Sequence, residues 1–327
     1  MSTRRAWYLA FAVFGIVLIG GLQQLVYPLG SDLSYQYVRS FGSDVLQRPV
    51  GIAFANGRIY VTDTGHDRMV VFTPEGKVLG TGGQTGSEPG EFRRPMRPEA
   101  GPDGNIYVAD LLNNRVQVFT PRGNVKRTYG KNGDVEASFN QPGGVDVDSK
   151  GNLHVVEFMG QRVQKISPEG KQLATWGGKN TKGFFHYGYF NYPTDVAVTT
   201  NGHFYVTDTF NDRVKHYGPD GTRLDVWGGF FGLNTPGPFR GWFKGAYGLA
   251  VTDHAKRVFV TDWGNNRVQV FDRDGDFLTA FGTGGSGPGE MDQPTDVAVA
   301  KTGTVYVMDF ANDRVQVWKQ TRGGAES

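Results

Sequence analysis

The sequence has no cysteine among its 327 residues. This absence excludes disulfides, thiolate metal sites, cysteine nucleophiles and a lipidated N-terminal cysteine. An excess of one charge is also lacking. The formal net charge is +2, and because Arg4 and Arg5 supply both positive charges, residues 6–327 are neutral. A neutral domain does not attract nucleic acid by its overall charge, so we expect no nucleic-acid partner.

One segment near the N-terminus has no charged residue at all. Residues 6–31 are uncharged, and Asp32 is the first charge after them. As an α-helix, residues 6–27 would span about 33 Å, which is enough to cross a bilayer. Residues 1–30 are therefore predicted to form an uncleaved transmembrane signal anchor. The alternative is a cleaved signal peptide, for which Ile19-Gly20-Gly21 is the best, but poor, cleavage site.

The charges that flank this anchor predict its orientation. Arg4 and Arg5 precede it, and the cytoplasmic flanks of membrane spans are enriched in Arg and Lys. We therefore expect a single-pass membrane protein with a cytoplasmic N-terminus and everything after residue 30 on the extracytoplasmic (periplasmic) side. The predicted domains are the anchor (1–30), a repeat domain (31–320) and a polar tail (321–327).

The rest of the chain has little helical pattern and instead repeats itself. A 14-residue motif, such as FYVTDTFNDRVKHY from Phe204, occurs six times at steps of 47, 47, 51, 54 and 47 residues. Each copy holds an acidic residue and, five positions later, an arginine: Asp63 and Arg68, Asp110 and Arg115, Glu157 and Arg162, Asp208 and Arg213, Asp262 and Arg267, Asp309 and Arg314. We expect each pair to form charge-assisted hydrogen bonds that cap a short turn, which is a structural role.

Each repeat predicts four short strands, here called a to d, separated by turns such as Asn-Gly or Pro-Asp-Gly. Such units without long linkers indicate a β-propeller, so the predicted fold class is all-β, a six-bladed β-propeller preceded by one transmembrane helix. The sixth repeat ends after strand c at Trp318, and residues 35–42 resemble the d strands of other repeats. We therefore expect residues 35–41 to pair with residues 315–318 and to close the last blade.

The repeated elements resemble those of NHL-repeat propellers of the membrane-anchored bacterial type. The resemblance covers about residues 35–318 and depends on Pro-x-x-Val-Ala-Val, Tyr-Val-x-Asp-x-x-Asn-x-Arg-Val and Pro-x-Gly elements. It implies the propeller fold. It does not imply one function, because the family includes a peptide-amidating lyase, RNA-binding and protein-binding propellers, and anchored bacterial proteins.

Metal chemistry would need several ligands that converge. The lyase branch of the family uses a zinc ion held by histidines, and the resemblance makes that the site to look for. The six histidines here occupy unrelated positions in the repeat, on opposite faces or within strands: His66, His154, His186, His203, His216 and His254. We expect them not to meet, and we predict no metal site, no cofactor and no catalytic residue.

Two groups of residues are predicted to lie on the face formed by the b–c turns and the loops that join blades. The first is aromatic and occupies two long neighbouring loops: Phe184, Phe185, Tyr187, Tyr189, Phe190, Phe230, Phe231, Phe239, Trp242 and Phe243. Aromatic rings that a regular propeller does not need are typical of a binding surface. The alternative is that they pack on one another as a lid.

The second group is basic and lies near the start of blades one and two: Arg48, Arg93, Arg94 and Arg97. It would hold an anion or an acidic partner over the channel, or else form a solvated patch paired with nearby acids. Arg97 aligns with Asp195 and Asp296 in the repeat, with Pro98 and Glu99 at positions where other repeats have Val and Ala.

These features predict a non-catalytic extracytoplasmic interaction or scaffold subunit that is tethered to the membrane. Its partner would be a protein, in a membrane complex, that docks through the aromatic loops. The alternatives are a metal-dependent lyase or lactonase-like propeller enzyme and a small-ligand binder at the channel mouth.

Overall fold

The computed structural model describes residues 33–130, 138–178, 189–229, 235–252 and 256–322. These residues form six four-stranded antiparallel sheets, one for each repeat. The innermost strand of each sheet contacts those of both neighbouring sheets, and the sixth contacts the first, so the six blades form a closed ring. The prediction of an all-β six-bladed propeller is confirmed.

In blades 1–5 the chain runs from strand a at the central channel to strand d at the outer edge, whereas the outer strand of blade 6 is the N-terminal β1. Blade 1 contains β2 (Gly51–Ala55), β3 (Arg58–Asp63), β4 (Arg68–Phe72) and β5 (Val78–Gly82). Blade 2 contains β6 (Pro95–Ala100), β7 (Ile106–Asp110), β8 (Arg115–Phe119) and β9 (Val125–Gly130). Blade 3 contains β10 (Pro142–Val147), β11 (Leu153–Glu157), β12 (Arg162–Ile166) and β13 (Gln172–Gly177).

Blade 4 contains β14 (Asp195–Val198), β15 (Phe204–Asp208), β16 (Arg213–Tyr217) and β17 (Arg223–Trp227). Blade 5 contains β18 (Ala246–Val251), β19 (Val258–Asp262), β20 (Arg267–Phe271) and β21 (Phe277–Phe281). Blade 6 contains β24 (Pro294–Val299), β25 (Thr304–Asp309), β26 (Arg314–Arg322) and β1 (Leu33–Phe41). A short parallel pair, β22 (Thr283–Gly284) and β23 (Glu290–Met291), precedes blade 6. Five b–c turns contain a single 3-10 turn: Thr64–His66, Leu111–Asn113, Thr209–Asn211, Trp263–Asn265 and Phe310–Asn312.

The ring is closed by pairing the two ends of the described chain. Strand β1 pairs antiparallel with β26, from Leu33 opposite Arg322 to Phe41 opposite Val315. The predicted closure is therefore confirmed, although β26 continues to Arg322 instead of ending at Trp318. No other strand of blade 6 pairs with β26 on that side, so β1 supplies its outer hydrogen bonds.

The six repeated acid–arginine pairs hold the b–c turns to the loops that lead into each blade. In every blade the arginine Nε lies 2.6–2.8 Å from a carboxylate oxygen of its acid. The same carboxylate accepts a backbone N–H from the preceding loop, as Asp110 does from Arg93 at 2.8 Å. The arginine donates to a carbonyl of that loop, as Arg115 does to Glu91 at 2.7 Å. These contacts are those of a structural pair.

Hydrophobic clusters fill the spaces between neighbouring blades. Trp227 of β17, for example, is fully buried in a cluster with Phe243 and Phe271 of the next blade. Because each blade packs on two neighbours, the ring has no separate core. Within the described ranges, no helix is long and apolar enough to cross a membrane. The predicted anchor, residues 1–30, lies outside the described residues.

Candidate functional site at the channel and its mouth

The inner strands bring one repeat position together around the channel. It is the second residue after a proline in every blade but the fifth, where Ala246 replaces the proline. Around the ring this position alternates between glycine and a charged residue: Gly51, Arg97, Gly144, Asp195, Gly248 and Asp296. The alternation is sterically required. A Cβ on Gly144 would lie 2.7 Å from Oδ1 of Asp195, and a Cβ on Gly248 would lie 2.7 Å from Cα of Asp296. Each charged side chain therefore occupies the space that a neighbouring glycine leaves.

Arg97 crosses the channel and contacts four other blades. Its Nε lies 3.3 Å from Asp195 and 3.7 Å from Asp296. Its two terminal nitrogens donate at 2.9 Å to the carbonyls of Thr194 and Thr295. Two weaker bonds of 3.3 Å reach the carbonyls of Gly143 and Tyr247. We call this arrangement the Arg97 hub.

The two aspartates of the hub also fasten neighbouring blades together. Asp195 of blade 4 accepts the N–H of Leu249 in blade 5 at 2.8 Å. Asp296 of blade 6 accepts the N–H of Ile52 in blade 1 at 2.9 Å. Burial raises the pKa of both carboxyl groups, and the Arg97 guanidinium opposes the shift. The hub is thus a buried network that stabilises the ring.

The position of Arg97 corrects the prediction that it belongs to a basic surface. Only 2% of its surface is exposed, and its charge is matched by two carboxylates. The alignment of Arg97 with Asp195 and Asp296 was the sequence signal for this contact, because equivalent positions on inner strands all face one axis. An incoming anion would have to displace these contacts.

A second pair of acids lies two residues further along the inner strands. Glu99 of β6 and Asp146 of β10 are half-buried and occupy the position of Ala197 and Ala298 in other blades. Burial raises the pKa of Asp146 to about 7. Burial, and then the charge of Asp146, raises the pKa of Glu99 well above its usual range. Among the described residues, neither acid has a Lys or Arg within ion-pair distance. Burial therefore favours the protonated form of both acids.

One face of the ring carries the b–c turns and the loops that join blades. We call it the mouth face. The two kinds of segment are hydrogen-bonded, as where the N–H of Leu112 donates to the carbonyl of Arg93 at 3.1 Å. Three consecutive b–c turns expose a large apolar side chain at one repeat position. These are Leu112 (49% exposed), Met159 (38%) and Phe210 (57%). Blades 5, 6 and 1 have Gly264, Ala311 and Gly65 there.

Two further rings connect this surface across blades 3 and 4. The ring of Tyr192 lies 4.8 Å from that of Phe158 and 5.1 Å from that of Phe210. Together, Leu112, Phe158, Met159, Tyr192 and Phe210 form what we call the apolar arc. None of these residues was among the predicted site residues. A signal for them was present, because the second residue after the repeated acid is large in blades 2–4 and small in the others.

The other predicted basic residues do lie on the mouth face. Arg48, Arg93 and Arg94 are exposed. Their backbone N–H groups bind carboxylates of the b–c turns, as that of Arg94 does with Asp67 at 2.7 Å. The guanidinium of Arg48 stacks 5.7 Å from the ring centre of Phe310. Arg48, Arg93 and Arg94 thus remain a surface group, while Arg97 is separated from them.

The structure divides the predicted aromatic residues. Phe190 and Phe243 are 2% and 0% exposed, so the prediction that they form a contact surface is wrong. They occupy the buried position that Phe92 and Phe139 occupy in blades 2 and 3, five residues before the position that alternates between glycine and a charged residue. That shared spacing was the sequence signal for their role in the core.

The other described aromatic residues are partly exposed. The rings of Phe239 and Trp242 meet edge to face at 5.2 Å, and Trp242 also packs on the core of blade 5. The half-buried Tyr189 accepts a hydrogen bond from Arg213 through its backbone carbonyl. The remaining predicted residues lie outside the described ranges: Phe184, Phe185, Tyr187, Phe230 and Phe231.

One pair of histidines meets, contrary to expectation. Nδ1 of His203 lies 2.9 Å from Nε2 of His216, and burial lowers the pKa of His216 to about 4. His66 instead contacts Asp63 in a b–c turn, and His154 lies between Trp176 and Phe204. In the part of the chain that is described, no three His, Asp or Glu side chains are grouped to hold a metal ion. His186 and His254 lie outside it.

Family comparisons match two parts of this architecture. An NHL-repeat family model matches residues 46–72 and 190–217. A family described as a 6-bladed beta-propeller (DUF5128) matches residues 247–321. Peptidyl-glycine alpha-amidating monooxygenase of Mus musculus is 34% identical over 88 residues, which are 26% of this chain. The match spans only 9% of the length of that enzyme.

Solved structures of low sequence identity share the fold over most of the chain. A protein of unknown function from Bacteroides thetaiotaomicron has a TM-score of 0.68 at 13% identity, covering 88% of this chain and 76% of that one. A streptogramin B lyase structure has a TM-score of 0.60 at 12% identity, covering 88% and 98%. At such identities the similarity shows the fold and no activity.

Proposed function

Because the chain is a six-bladed β-propeller that carries NHL repeats, we propose that it is a non-catalytic interaction subunit whose protein partner docks on the apolar arc. The observation that carries this proposal is the exposure of Leu112, Met159 and Phe210 at one turn position in three consecutive blades. The other three blades fold with Gly or Ala at that position, so the fold does not require large side chains there.

The chemistry of the mouth face supports a protein partner. The rings of Phe158, Tyr192 and Phe210 contact one another in sequence, and clustered apolar side chains at a surface are typical of interaction sites. Arg93 and Arg94 lie beside the Leu112 end of the arc and supply a basic rim. A partner with an apolar centre and an acidic edge would complement this surface.

The structure of the channel favours binding on the mouth face over binding inside the channel. The Arg97 hub joins five of the six blades and is buried. A ligand that entered from the mouth would have to break that network, whereas a partner on the mouth face leaves it intact. We therefore place the working surface on the loops and assign the hub to stabilisation of the ring.

The uncharged N-terminal segment supports a tether. We propose that residues 6–27 anchor the chain in a membrane and that the propeller lies on the extracytoplasmic side, because Arg4 and Arg5 precede the segment. Protease added to spheroplasts should then remove a tag placed after Ser327. Full protection of that tag would refute this orientation.

The docking proposal is tested by removing the arc. We expect the triple variant Leu112→Ser, Met159→Ser and Phe210→Ser to remain folded, because all three side chains are exposed and lie in turns. We expect it to lose a protein that co-purifies with the tagged wild-type chain from its own membranes. Loss of buried apolar anchors of this kind costs at least about 2 kcal/mol each at a docking hot spot.

A matched control uses exposed leucines elsewhere on the same blades. Leu173 of β13 and Leu224 of β17 are 49% and 39% exposed, but they lie on outer strands. The double variant Leu173→Ser and Leu224→Ser should retain the partner. The proposal is wrong if the triple variant keeps the partner in wild-type amounts, or if the control loses it equally.

A further inference from the structure

Five of the six blades end their outer strand with an aromatic ring, followed by a glycine. The rings are Phe41, Tyr129, Trp176, Trp227 and Phe281. Each packs against the next blade. Phe41 of blade 6 lies 5.2 Å from Phe72 of blade 1, and Trp176 of blade 3 lies 4.8 Å from Phe204 of blade 4. We call these residues the wedge rings, because they fill the space between the outer parts of neighbouring blades.

Blade 1 has no wedge ring, because Gly82 occupies that position. A groove of about 290 Å³ lies between blades 1 and 2 at this place. Its lining combines the apolar side chains of Met69, Phe92, Ile106 and Phe119 with polar residues. A Cβ on Gly82 would meet no atom within 4 Å. We call this space the wedge groove.

The turn on the far side of the groove gives an independent sign that a ring is missing. In the Pro-x-Gly type turns between strands c and d, the glycine lies directly under the wedge ring of the preceding blade. A Cβ on Gly76 would lie 2.5 Å from Phe41, and a Cβ on Gly275 would lie 2.6 Å from Trp227. The equivalent Gly123 of blade 2 meets nothing within 4 Å. The glycine that would accommodate a ring is present, and the ring is not.

The rim of the groove is basic. Arg58 and Arg122 line it, and both are exposed. Among the described residues, neither has a carboxylate within ion-pair distance. Arg58 donates at 3.3 Å to the carbonyl of Pro121. At the next interface, the equivalent carbonyl of Pro168 accepts from the hydroxyl of a wedge ring, Tyr129, at 2.8 Å.

The outer strand beside the groove is fully exposed and has mostly small side chains. All five residues of β5 are exposed, which is true of no other outer strand, and three of them are Gly80, Thr81 and Gly82. Within the described part of the chain, strand β5 pairs only with β4, and its other edge has no partner strand. An edge with small side chains allows another chain to approach and to add main-chain hydrogen bonds.

We propose that the wedge groove binds an aromatic side chain of a partner polypeptide that lies extended along β5 and carries an acidic residue near the ring. The five wedge rings indicate the aromatic ring, since the protein fills the equivalent spaces with Phe, Tyr or Trp. The open edge of β5 favours an extended polypeptide. Arg58 and Arg122 favour the neighbouring carboxylate. The groove lies between the outer parts of two blades and is separate from the apolar arc.

The test fills the groove with the chain's own ring. Gly82 lies outside the left-handed backbone region, so Gly82→Trp imposes no backbone strain there. We expect this variant to melt at a higher temperature than the wild-type chain, because Trp would pack as Trp176 and Trp227 do. Leu173→Trp is the control, because it adds an exposed ring to the outer strand of blade 3 without touching the groove.

Binding is measured with a displayed library of random dodecapeptides selected on the full detergent-solubilised chain. We expect the enriched peptides to contain an aromatic residue next to Asp or Glu. As synthetic peptides they should lose at least about tenfold in affinity for Gly82→Trp and keep their affinity for Leu173→Trp. Reversal of the rim charges, Arg58→Glu with Arg122→Glu, should weaken the binding of the acidic peptides and leave the melting temperature of the protein unchanged.

Four results would contradict the proposal. Selected peptides that lack aromatic residues would show that the groove does not select a ring. Equal affinity for wild type and Gly82→Trp would place the binding elsewhere. A lower melting temperature for Gly82→Trp would show that the space does not fit a ring, and charge-reversed variants that bind acidic peptides unchanged would remove the role of the two arginines.

Discussion

Replacement of Arg97 by methionine tests how far the propeller depends on its central network. Methionine keeps most of the aliphatic volume and removes the charge and the hydrogen bonds. Asp195 and Asp296, each 4% exposed, would then lose their cation. The carbonyls of Thr194 and Thr295 would lose donors at 2.9 Å. Backbone N–H groups would still bind each carboxylate.

The expected cost is large for a single substitution. Removal of one partner from a buried ion pair typically costs about 3–5 kcal/mol, because the other charge stays buried. Arg97→Met should therefore lower the free energy of unfolding by roughly that amount. The loss should grow as pH rises. Without the cation, the folded-state pKa of these buried carboxyl groups rises further above the unfolded value, so the folded state binds more protons and loses stability at higher pH.

The assay is thermal and urea unfolding followed by tryptophan fluorescence, at about pH 5 and about pH 8. Arg93→Met is the matched control, since Arg93 is exposed and precedes the same strand; it should change stability by no more than about 0.5 kcal/mol. Adding Asp296→Asn to Arg97→Met should recover part of the loss. Equal stability of the Arg97→Met and Arg93→Met variants would refute the reasoning.

Three further predictions follow from the channel and the ring. Burial raises the pKa of Asp146 in the folded state, so its contribution makes stability fall as pH rises from about 4 to about 7. Asp146→Asn should flatten this part of the stability profile, and an unchanged slope of melting temperature against pH would contradict the shift. Gly248→Ala should lower the free energy of unfolding by about 1–3 kcal/mol by overpacking against Asp296, whereas Gly80→Ala, in open space, should lower it far less. Equal losses in urea unfolding would be inconsistent with the hub geometry. Deletion of β1 should lower the melting temperature sharply, because β26 would lose its outer partner, and an unchanged melting curve would exclude closure by this strand.

The fold could be predicted because the sequence pattern of one blade occurs six times in the chain. Six copies of one strand-and-turn pattern give six independent readings of the same unit, and the missing fourth strand of the last copy points to the N-terminal segment. The acid–arginine pairs were predictable for the same reason. A role repeated at the same position in six blades is structural, since a single active site would need residues that differ between blades.

The candidate site was harder to predict because it depends on which positions face the same axis or surface. Arg97, Asp195 and Asp296 are about 100 residues apart in the chain, and only the radial arrangement of the inner strands brings them together. Phe190 and Phe243 were misplaced for a different reason. They border long aromatic insertions, and only their spacing of five residues before Asp195 and Gly248 assigns them to the core.

The departures from the repeat proved more informative than its regular positions. Leu112, Met159 and Phe210 stand where other blades have Gly or Ala, and Gly82 stands where other blades have an aromatic ring. Neither departure stabilises the fold: the first leaves large apolar side chains in water, and the second leaves a space between blades. Both are explained if these positions are used for contact with other chains.

The most direct test of the central claim is site-specific photocrosslinking in the cell. A photoreactive phenylalanine analogue at position 210 should give a single protein adduct, while the same analogue at position 173, on the outer strand of blade 3, should not give that adduct. The arc account predicts that the adduct at 210 disappears when Leu112 and Met159 are changed to Ser. No adduct at 210, or the same adduct at both positions, would contradict docking on the apolar arc.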